Sequence, residues 1–425
     1  MRVRSGWTEK EPETASGSGA TANSRGFAAL QVPNFRFYLT GAAFSKIADT
    51  MESVIRSWLV WQLTGSAFWL GFMVFCHWLP NTILSVFAGV LADRVDNRKL
   101  LLFSEGLYLT SSLSIGILTV AGHIAVWEIA VLLIVHGMSG AISNPSRQVF
   151  IHDTVGRERL MSAVSLTNSL FQCMTFIGPA VAGVLIAAVG PGITYLINSL
   201  IFVPAIIVMA TIRVAKQPRP PAVLSPWQSS VEGFRHVRST PLLLGLLALS
   251  TVPALLVGES VTAMMPIFAT QVLNIGAEGM GFLLSANGLG AILAALAISY
   301  LGGLRHKGLL VVTTSFLYGV FLICFSFSSW YWVSMAMLVG VGATYVVSQT
   351  VINTTLQLGV SDDMRGRVMG LYSFGTLGVR SFNGPLIGLF ASAAGAPLAL
   401  GALSGLVMIG VIIITMLTPE GRDLD

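Results

Sequence analysis

The chain has 425 residues, of which 54% are apolar and only 10% charged, and its formal net charge is +5; the mean hydropathy is +0.77. A water-soluble domain carries roughly 25% charged residues, so this composition excludes a soluble globule and leaves a membrane-embedded chain. Its three cysteines, Cys76, Cys173 and Cys324, all fall inside apolar runs, which excludes a disulfide framework or a cysteine-built metal cluster.

Residues 1–33 are polar and rich in small side chains. They lack the apolar core and cleavage site of a secretory signal and read as a disordered cytoplasmic tail. Twelve apolar segments follow, near 36–62, 67–91, 100–121, 126–146, 162–188, 192–213, 242–270, 280–301, 308–328, 330–356, 368–393 and 397–417. Each approaches the about 20 residues that a helix needs to cross a bilayer. All are too long and too evenly apolar for the alternating segments of about 10 residues found in a membrane barrel. The expected fold is an all-α membrane protein with twelve transmembrane helices. The Pro- and Arg-containing stretch 215–240 reads as a cytoplasmic linker between a six-helix half at 34–214 and another at 241–418. Residues 419–425 form a second tail. The first segment is the least apolar, because Lys46, Asp49, Glu52 and Arg56 interrupt it.

Basic residues set the expected orientation. With the N-terminus inside, the tail region holds Arg2, Arg4, Lys10, Arg25 and Arg36, and the turn after the second segment holds Arg94, Arg98 and Lys99. Arg147, Arg157 and Arg159 follow, then five more between Arg213 and Arg238. Arg305 and Lys307, Arg365 and Arg367, and finally Arg422 fall on the same side. Lys46, Arg56 and Arg380 lie within segments, which leaves none for the outer connections. The positive-inside rule therefore places both termini in the cytoplasm, with an even number of crossings.

Orientation accounts for Arg94, Arg98 and Lys99 in the stretch GVLADRVDNRKLLL, but not for Asp93 and Asp96, since acidic residues contribute little to it. The pattern Gly89-x-Leu91-Ala92-Asp93-Arg94-x-Asp96-x-Arg98-Lys99 resembles the 2–3 loop signature of the major facilitator superfamily, G-x-L-a-D-r-x-G-r-k. Asp96 stands where that signature has its second glycine, which resembles a bacterial branch that includes efflux and siderophore-export proteins. The resemblance spans residues 34–418. It implies two six-helix halves related by a pseudo-two-fold axis, and a cytoplasmic gate braced by Gly89, Asp93, Arg94 and Arg98.

Internal repetition points the same way. Asn144–Ala188 aligns with Thr350–Ala394 at an offset of about 206, which superposes Arg159 on Arg365 and Gly178-Pro179 on Gly384-Pro385. Nearer the starts of the halves the offset is about 210, and Gly71-Phe72 meets Gly281-Phe282. That second offset carries Asp49 onto Glu259, the only charge in the seventh segment; Arg380 is the only charge deep in the eleventh. Charges inside a bilayer cost about 2.5–3.5 kcal/mol each on insertion scales and face a bundle interior or a water-filled cavity. Lys46, Asp49, Glu52 and Arg56 share an arc of about 120° on the first helix. Asp49, Glu52, Arg56, Glu259 and Arg380 are thus candidates for a substrate or proton site, with internal salt bridges as the alternative.

Other polar residues read more simply. His77, His136, Asn168, Gln172 and Asn198 fit hydrogen-bonded packing, and Trp58, Trp61, Trp127, Trp330 and Trp332 fit interface anchors. Gly288, Gly290, Gly319, Gly340 and Gly342 fit close helix packing. Gly178-Pro179-x-x-Ala182-Gly183 resembles the antiporter signature G-P-x-x-G-G, with one glycine replaced, and a Gly-Pro pair softens a helix for a hinge. The arginine expected four residues before a glycine in the fourth segment of proton antiporters is absent, since Leu133 precedes Gly137. Coupling would then rest on Asp49, Glu52 or Glu259. No zincin, Walker, nucleophile-elbow or metal-spaced motif is present, so neither an enzyme nor a cofactor nor a resident metal is expected. The reading is a monomeric secondary transporter in a bacterial cytoplasmic membrane, working on a small molecule and protons with no nucleic-acid partner. A proton-coupled exporter of amphiphilic, drug- or siderophore-like compounds comes first. A solute symporter, and a lipid flippase or non-transporting sensor, are the alternatives.

Overall fold

The computed structural model describes residues 27–212, 226–301 and 306–418, which are helical apart from short connections. The two tails, most of the linker before Pro226 and the segment 302–305 lie outside the described residues. The first half comprises α1 (Pro33–Thr64), α2 (Ala67–Arg94), α3 (Asn97–Val120), α4 (Val126–Val155) and α5 (Leu160–Thr211). A short helix, α6 (Pro226–Ser239), precedes the second half: α7 (Pro241–Val257), α8 (Ser260–Ile267), α9 (Gly276–Leu301), α10 (Lys307–Ser326), α11 (Tyr331–Gly359), α12 (Asp362–Ser373), α13 (Arg380–Ala394) and α14 (Ala396–Leu417).

These elements supply twelve crossings. Among the described residues nine helical segments are long and apolar enough to cross a bilayer, and one of them, Arg157–Thr211, runs for 55 residues. It holds two crossings that part at Gly190, whose φ of 78° breaks the helix; only glycine adopts that backbone freely. Helix α1 is the eleventh crossing, less apolar because Lys46, Asp49, Glu52 and Arg56 interrupt it. Helices α12 and α13, joined through a π-turn at Phe374–Gly378, form the twelfth around Arg380. Likewise α7 and α8 form one crossing that continues through a π-turn at Phe268–Val272.

Local chemistry marks the ends. Pro33 opens α1 and Gly65, at φ 57°, closes it. Asp96, where the superfamily signature has glycine, caps α3 by accepting the Arg98 backbone N–H at 2.9 Å. The Arg98 side chain donates to the Met209 carbonyl at 3.2 Å and to the Ala210 carbonyl, placing a cation on the open C-terminal carbonyls of α5. Arg98 therefore has a structural use beyond orientation. Arg365 does the same for α11, donating to the Gln357 carbonyl at 2.9 Å. Helix α6 docks on α12 through Glu232 and Arg367, 2.6 Å apart.

The two halves meet through glycines, and the sequence repeat explains the pattern. Gly71 of α2 packs on Gly384 and Gly388 of α13; a Cβ on Gly71 would come within 2.9 Å of the Gly388 Cα. Gly281 of α9 packs on Pro179 and Gly183 of α5, where a Cβ would lie 2.5 Å from the Pro179 carbonyl oxygen. Gly71 aligns with Gly281, and Gly384-Pro385 with Gly178-Pro179, so the two crossings are the same contact made twice. This is the signature of a pseudo-two-fold axis between parallel repeats. Trp61 adds a hydrogen bond across the halves, donating its indole N–H to Thr270 at 3.0 Å, and Trp58 is buried. These two are contacts within the bundle, not the interface anchors expected from sequence. Trp127, Trp330 and Trp332 are 62–75% exposed.

Candidate functional site

Glu259 stands at a break between α7 and α8. In an unbroken helix its N–H would bond the Leu255 carbonyl. Asn383 of α13 intervenes instead: its Oδ1 accepts the Glu259 N–H at 3.0 Å, and its Nδ2 donates to the Leu255 carbonyl at 3.2 Å. The buried amide satisfies both halves of the lost bond and fixes the carboxylate's direction. Sequence reasoning missed Asn383, whose role exists only through a helix 124 residues away.

The Glu259 carboxylate receives Arg380 Nη1 at 2.7 Å, and Arg380 Nη2 donates to the Tyr345 hydroxyl at 3.0 Å. The guanidinium also lies 5.2 Å over the ring of Trp78, on α2 of the other half, within cation–π range. Both members of the ion pair keep about a fifth of their side-chain surface exposed. Beside them lies a narrow cavity between the halves, lined by Ser53, Arg56 and Ser57 of α1, Leu70, Met73 and Val74 of α2, and Glu259, Thr262 and Ala263. It is far smaller than the about 300–1,000 Å³ that enclose drug-sized ligands and has room for little more than a water molecule. A second crevice, bounded by Leu242, Gly245, Val311 and Thr415, offers no charged group.

The four charges in the middle of α1, Lys46, Asp49, Glu52 and Arg56, divide into two pairs. Lys46 and Asp49 lie 2.8 Å apart and are roughly one-third exposed. Glu52 and Arg56 lie 3.1 Å apart and are buried, with the Tyr195 hydroxyl 3.4 Å from the second Glu52 oxygen. Arg56 reaches the central cavity, whereas Asp49 is not among its lining residues. The repeat partner of Glu259 is therefore not its neighbour across the cavity; Arg56 takes that place.

His77 and His136 belong to this network. His77 Nδ1 is 3.1 Å from Arg56 Nη1, and its ring centre is 5.4 Å from that of His136. His136 Nε2 lies 3.8 Å from Asp49, too long for a hydrogen bond, and its Nδ1 lies 3.4 Å from the Ser111 hydroxyl. Glu52, His77 and His136 bring ligand atoms within 4.8 Å of one another. A divalent cation there would have to displace Arg56, already 3.1 Å from both Glu52 and His77. Glu105 escaped the sequence reading, and Arg147 was counted there only for orientation. Glu105 is buried, with one oxygen accepting the Ser45 hydroxyl at 2.7 Å and the other without a partner. Arg147 lies inside α4, its guanidinium 4.9 Å over the Phe171 ring, rather than in a loop.

The signature residues fall at the opposite end of the bundle from Gly65. Gly89 and Asp93 lie in α2, but their surroundings are outside the described residues; Arg94 is exposed. Gly178, Pro179 and Gly183 sit in uninterrupted helix and serve close approach: Gly178 packs on Thr50 and Gly183 on Gly281.

Several known proteins resemble this chain. Solved structures include a bacterial homolog of the human lysosomal transporter Spinster, inward-facing and unoccupied, with a TM-score of 0.72 at 11% identity, covering 96% of this chain and 99% of that one. A peptide transporter, POT, gives 0.75 at 12% identity, covering 92% and 95%. Among curated proteins, the staphyloferrin A transporter of Staphylococcus aureus is 24% identical over 79% of this chain and 84% of its own length. The multidrug efflux pump Tap of Mycolicibacterium fortuitum is 26% identical over 87% and 91%. The enterobactin exporter EntS of Shigella flexneri is 26% identical over 85% and 82%. The family model described as transmembrane secretion effector matches residues 24–425. With the fold and the paired halves on the same footing, the chain belongs to the transmembrane secretion effector family of the major facilitator superfamily, a family of transporters and not of enzymes.

Proposed function

We propose that this protein exports small amphiphilic molecules, drug- or siderophore-like, in exchange for protons. The observation that carries the reading is the Glu259–Arg380 pair, partly exposed at 2.7 Å, beside a cavity that both halves build and that Arg56 enters. A carboxylate so placed has three competing partners: the arginine, a proton, and a donor or cationic group of the substrate. Each can displace another as the cavity alternates, which links proton movement to substrate movement without ATP. The names of two relatives, an efflux pump and an exporter, support the direction. The termini are assigned to the cytoplasm of a bacterial cell on the distribution of basic residues. On that assignment the glycine contacts at Gly71 and Gly281 close the outer end, and the cavity belongs to an inward-facing state. The signature loop with Asp93 is assigned to the cytoplasmic gate, and the cavity lies within one chain, so a monomer suffices.

The test uses everted vesicles and proteoliposomes with a panel of siderophores and amphiphilic cations. Glu259→Gln should abolish accumulation driven by a proton gradient and retain downhill exchange. Accumulation at the wild-type level, with unchanged pH dependence, sinks the assignment.

A further inference from the structure

Arg56 is held back from Glu259 by two acceptors, Glu52 Oε2 and His77 Nδ1, each 3.1 Å from its Nη1. A guanidinium has five N–H donors, no acceptor, and does not lose its proton in a protein. The Nδ1 atom that receives it therefore presents a lone pair, so His77 is neutral with its hydrogen on Nε2. The hydrogen bond from Arg56 and a proton on His77 Nδ1 cannot coexist. A newly protonated ring would also set two cations face to face at hydrogen-bond distance. The carboxylate of Glu52 lies within 4.8 Å of a ring nitrogen of His77, so the imidazolium can take over the acceptor that Arg56 gives up.

We propose that His77 is a proton-binding site that switches Arg56 between Glu52 in the N-terminal half and Glu259 in the cavity. Neutral His77 retains Arg56. When Nδ1 takes a proton from hydronium, water is left behind, the Arg56–His77 bond breaks, and Arg56 turns toward Glu259 on the cavity wall they share. There it competes with Arg380 and with the substrate. Return of the proton to water reverses each step. The inference rests on the reading of Glu259 as the exchanging carboxylate.

The charge balance favours this exchange. The groups facing His77 are Lys46, Asp49, Glu52 and Arg56 on α1 and His136 on α4, with Arg380 of α13 stacked on the neighbouring Trp78. The four α1 charges that face His77 sum to zero. A proton on His77 raises the sum by one, and departure of Arg56 restores it. In the cavity the arriving guanidinium turns a neutral ion pair into a site of net positive charge, which expels a cationic or donor group from Glu259. Proton on His77 and substrate at Glu259 thus exclude each other, as exchange requires.

The test needs no substrate. The full chain, labelled with 15N-histidine and held in lipid nanodiscs, is titrated by NMR between about pH 5 and 9, where histidine changes charge. It holds six histidines, and the His77 signals are those that His77→Asn removes. His77 should begin with Nδ1 unprotonated and should titrate. Glu259→Gln removes the acceptor that receives Arg56, so the proton affinity of His77 should fall about fivefold, the low end of site-to-site coupling. In an Arg56→Gln background the same change should have no effect, because the connecting group is gone. Should Arg56→Gln not fold, the charge-neutral double change Glu52→Gln/Arg56→Gln gives the same comparison. A His77 that stays neutral throughout overturns the proposal. So does an equal effect of Glu259→Gln with and without Arg56, which is what direct charge action produces. Failure of the transport reading shows separately, as coupling between Glu259 and His77 in a protein whose accumulation does not need Glu259.

Discussion

Asp49 and Glu52 sit three residues apart on α1, yet their ion pairs belong to different energetic regimes. Lys46–Asp49 is about one-third exposed on each side, and a solvated pair of this kind contributes about 0–1 kcal/mol. Asp49→Asn should therefore leave thermal stability in detergent nearly unchanged. Glu52 is 1% exposed, and its loss removes the charge that balances the buried Arg56 guanidinium. Removing one member of a buried pair costs about 3–5 kcal/mol, so Glu52→Ala should lower the unfolding midpoint sharply. Equal midpoints for the two variants would contradict this division. The sequence made the shared helical face of these four residues legible, through spacing alone. It did not separate them, because the separation comes from Tyr195 and His77, on other helices. His77 and His136 read as packing residues for the same reason: a lone histidine in an apolar run looks alike whether its neighbour is a carbonyl or a guanidinium. Glu259 and Arg380 were legible because each is the only charge deep in its apolar segment, and two such charges in one bilayer seek each other.

At the scale of elements, glycines sort by what they touch. Gly290 of α9 faces the Val339 carbonyl of α11, and Gly342 of α11 faces the Asn287 carbonyl of α9, so both lie inside one half. Gly71 and Gly281 lie between the halves. An added methyl in such contacts costs about 1–3 kcal/mol. Gly290→Ala should lower stability in every conformation. Gly71→Ala should penalise only the conformation in which α2 meets α13, and so spread the ends of the halves near Gly65. Spin-label distances between α2 and α13 near Gly71 would show the difference; an unaltered distribution in Gly71→Ala counts against a moving interface. Sequence marked these residues as close-packing positions but not their partners, since a small side chain is visible in sequence and the helix it admits is not. The repeat went further, because superposing Gly71 on Gly281 makes both partners follow from one. Asp49 and Glu259 show where that logic stops: aligned in the repeat, they meet different partners, because only Glu259 lies at a helix break opened by Asn383.

For the whole molecule, the twelve crossings were legible from apolar length and from the distribution of lysine and arginine. The weakest of them by apolar length was α1, where Lys46, Asp49, Glu52 and Arg56 interrupt the run. The alternation of connections makes reporter fusions a direct check. Fusions after Leu63 or Gly122 should behave as external, and fusions at Val95 or Gln217 as internal; one reversed pair breaks the scheme. The turns on the Gly65 side have a consequence of their own. They comprise 65–66, 121–125, Gly190, 273–275, 327–330 and Gly395, and none contains lysine or arginine. Trypsin added to intact cells therefore meets no cleavable bond and should leave the chain whole, while the same protease sealed on the opposite side should cut at the Arg- and Lys-bearing connections. On the proposed orientation the outward face offers other macromolecules only turns of one to five residues, which leaves recognition to the opposite surface.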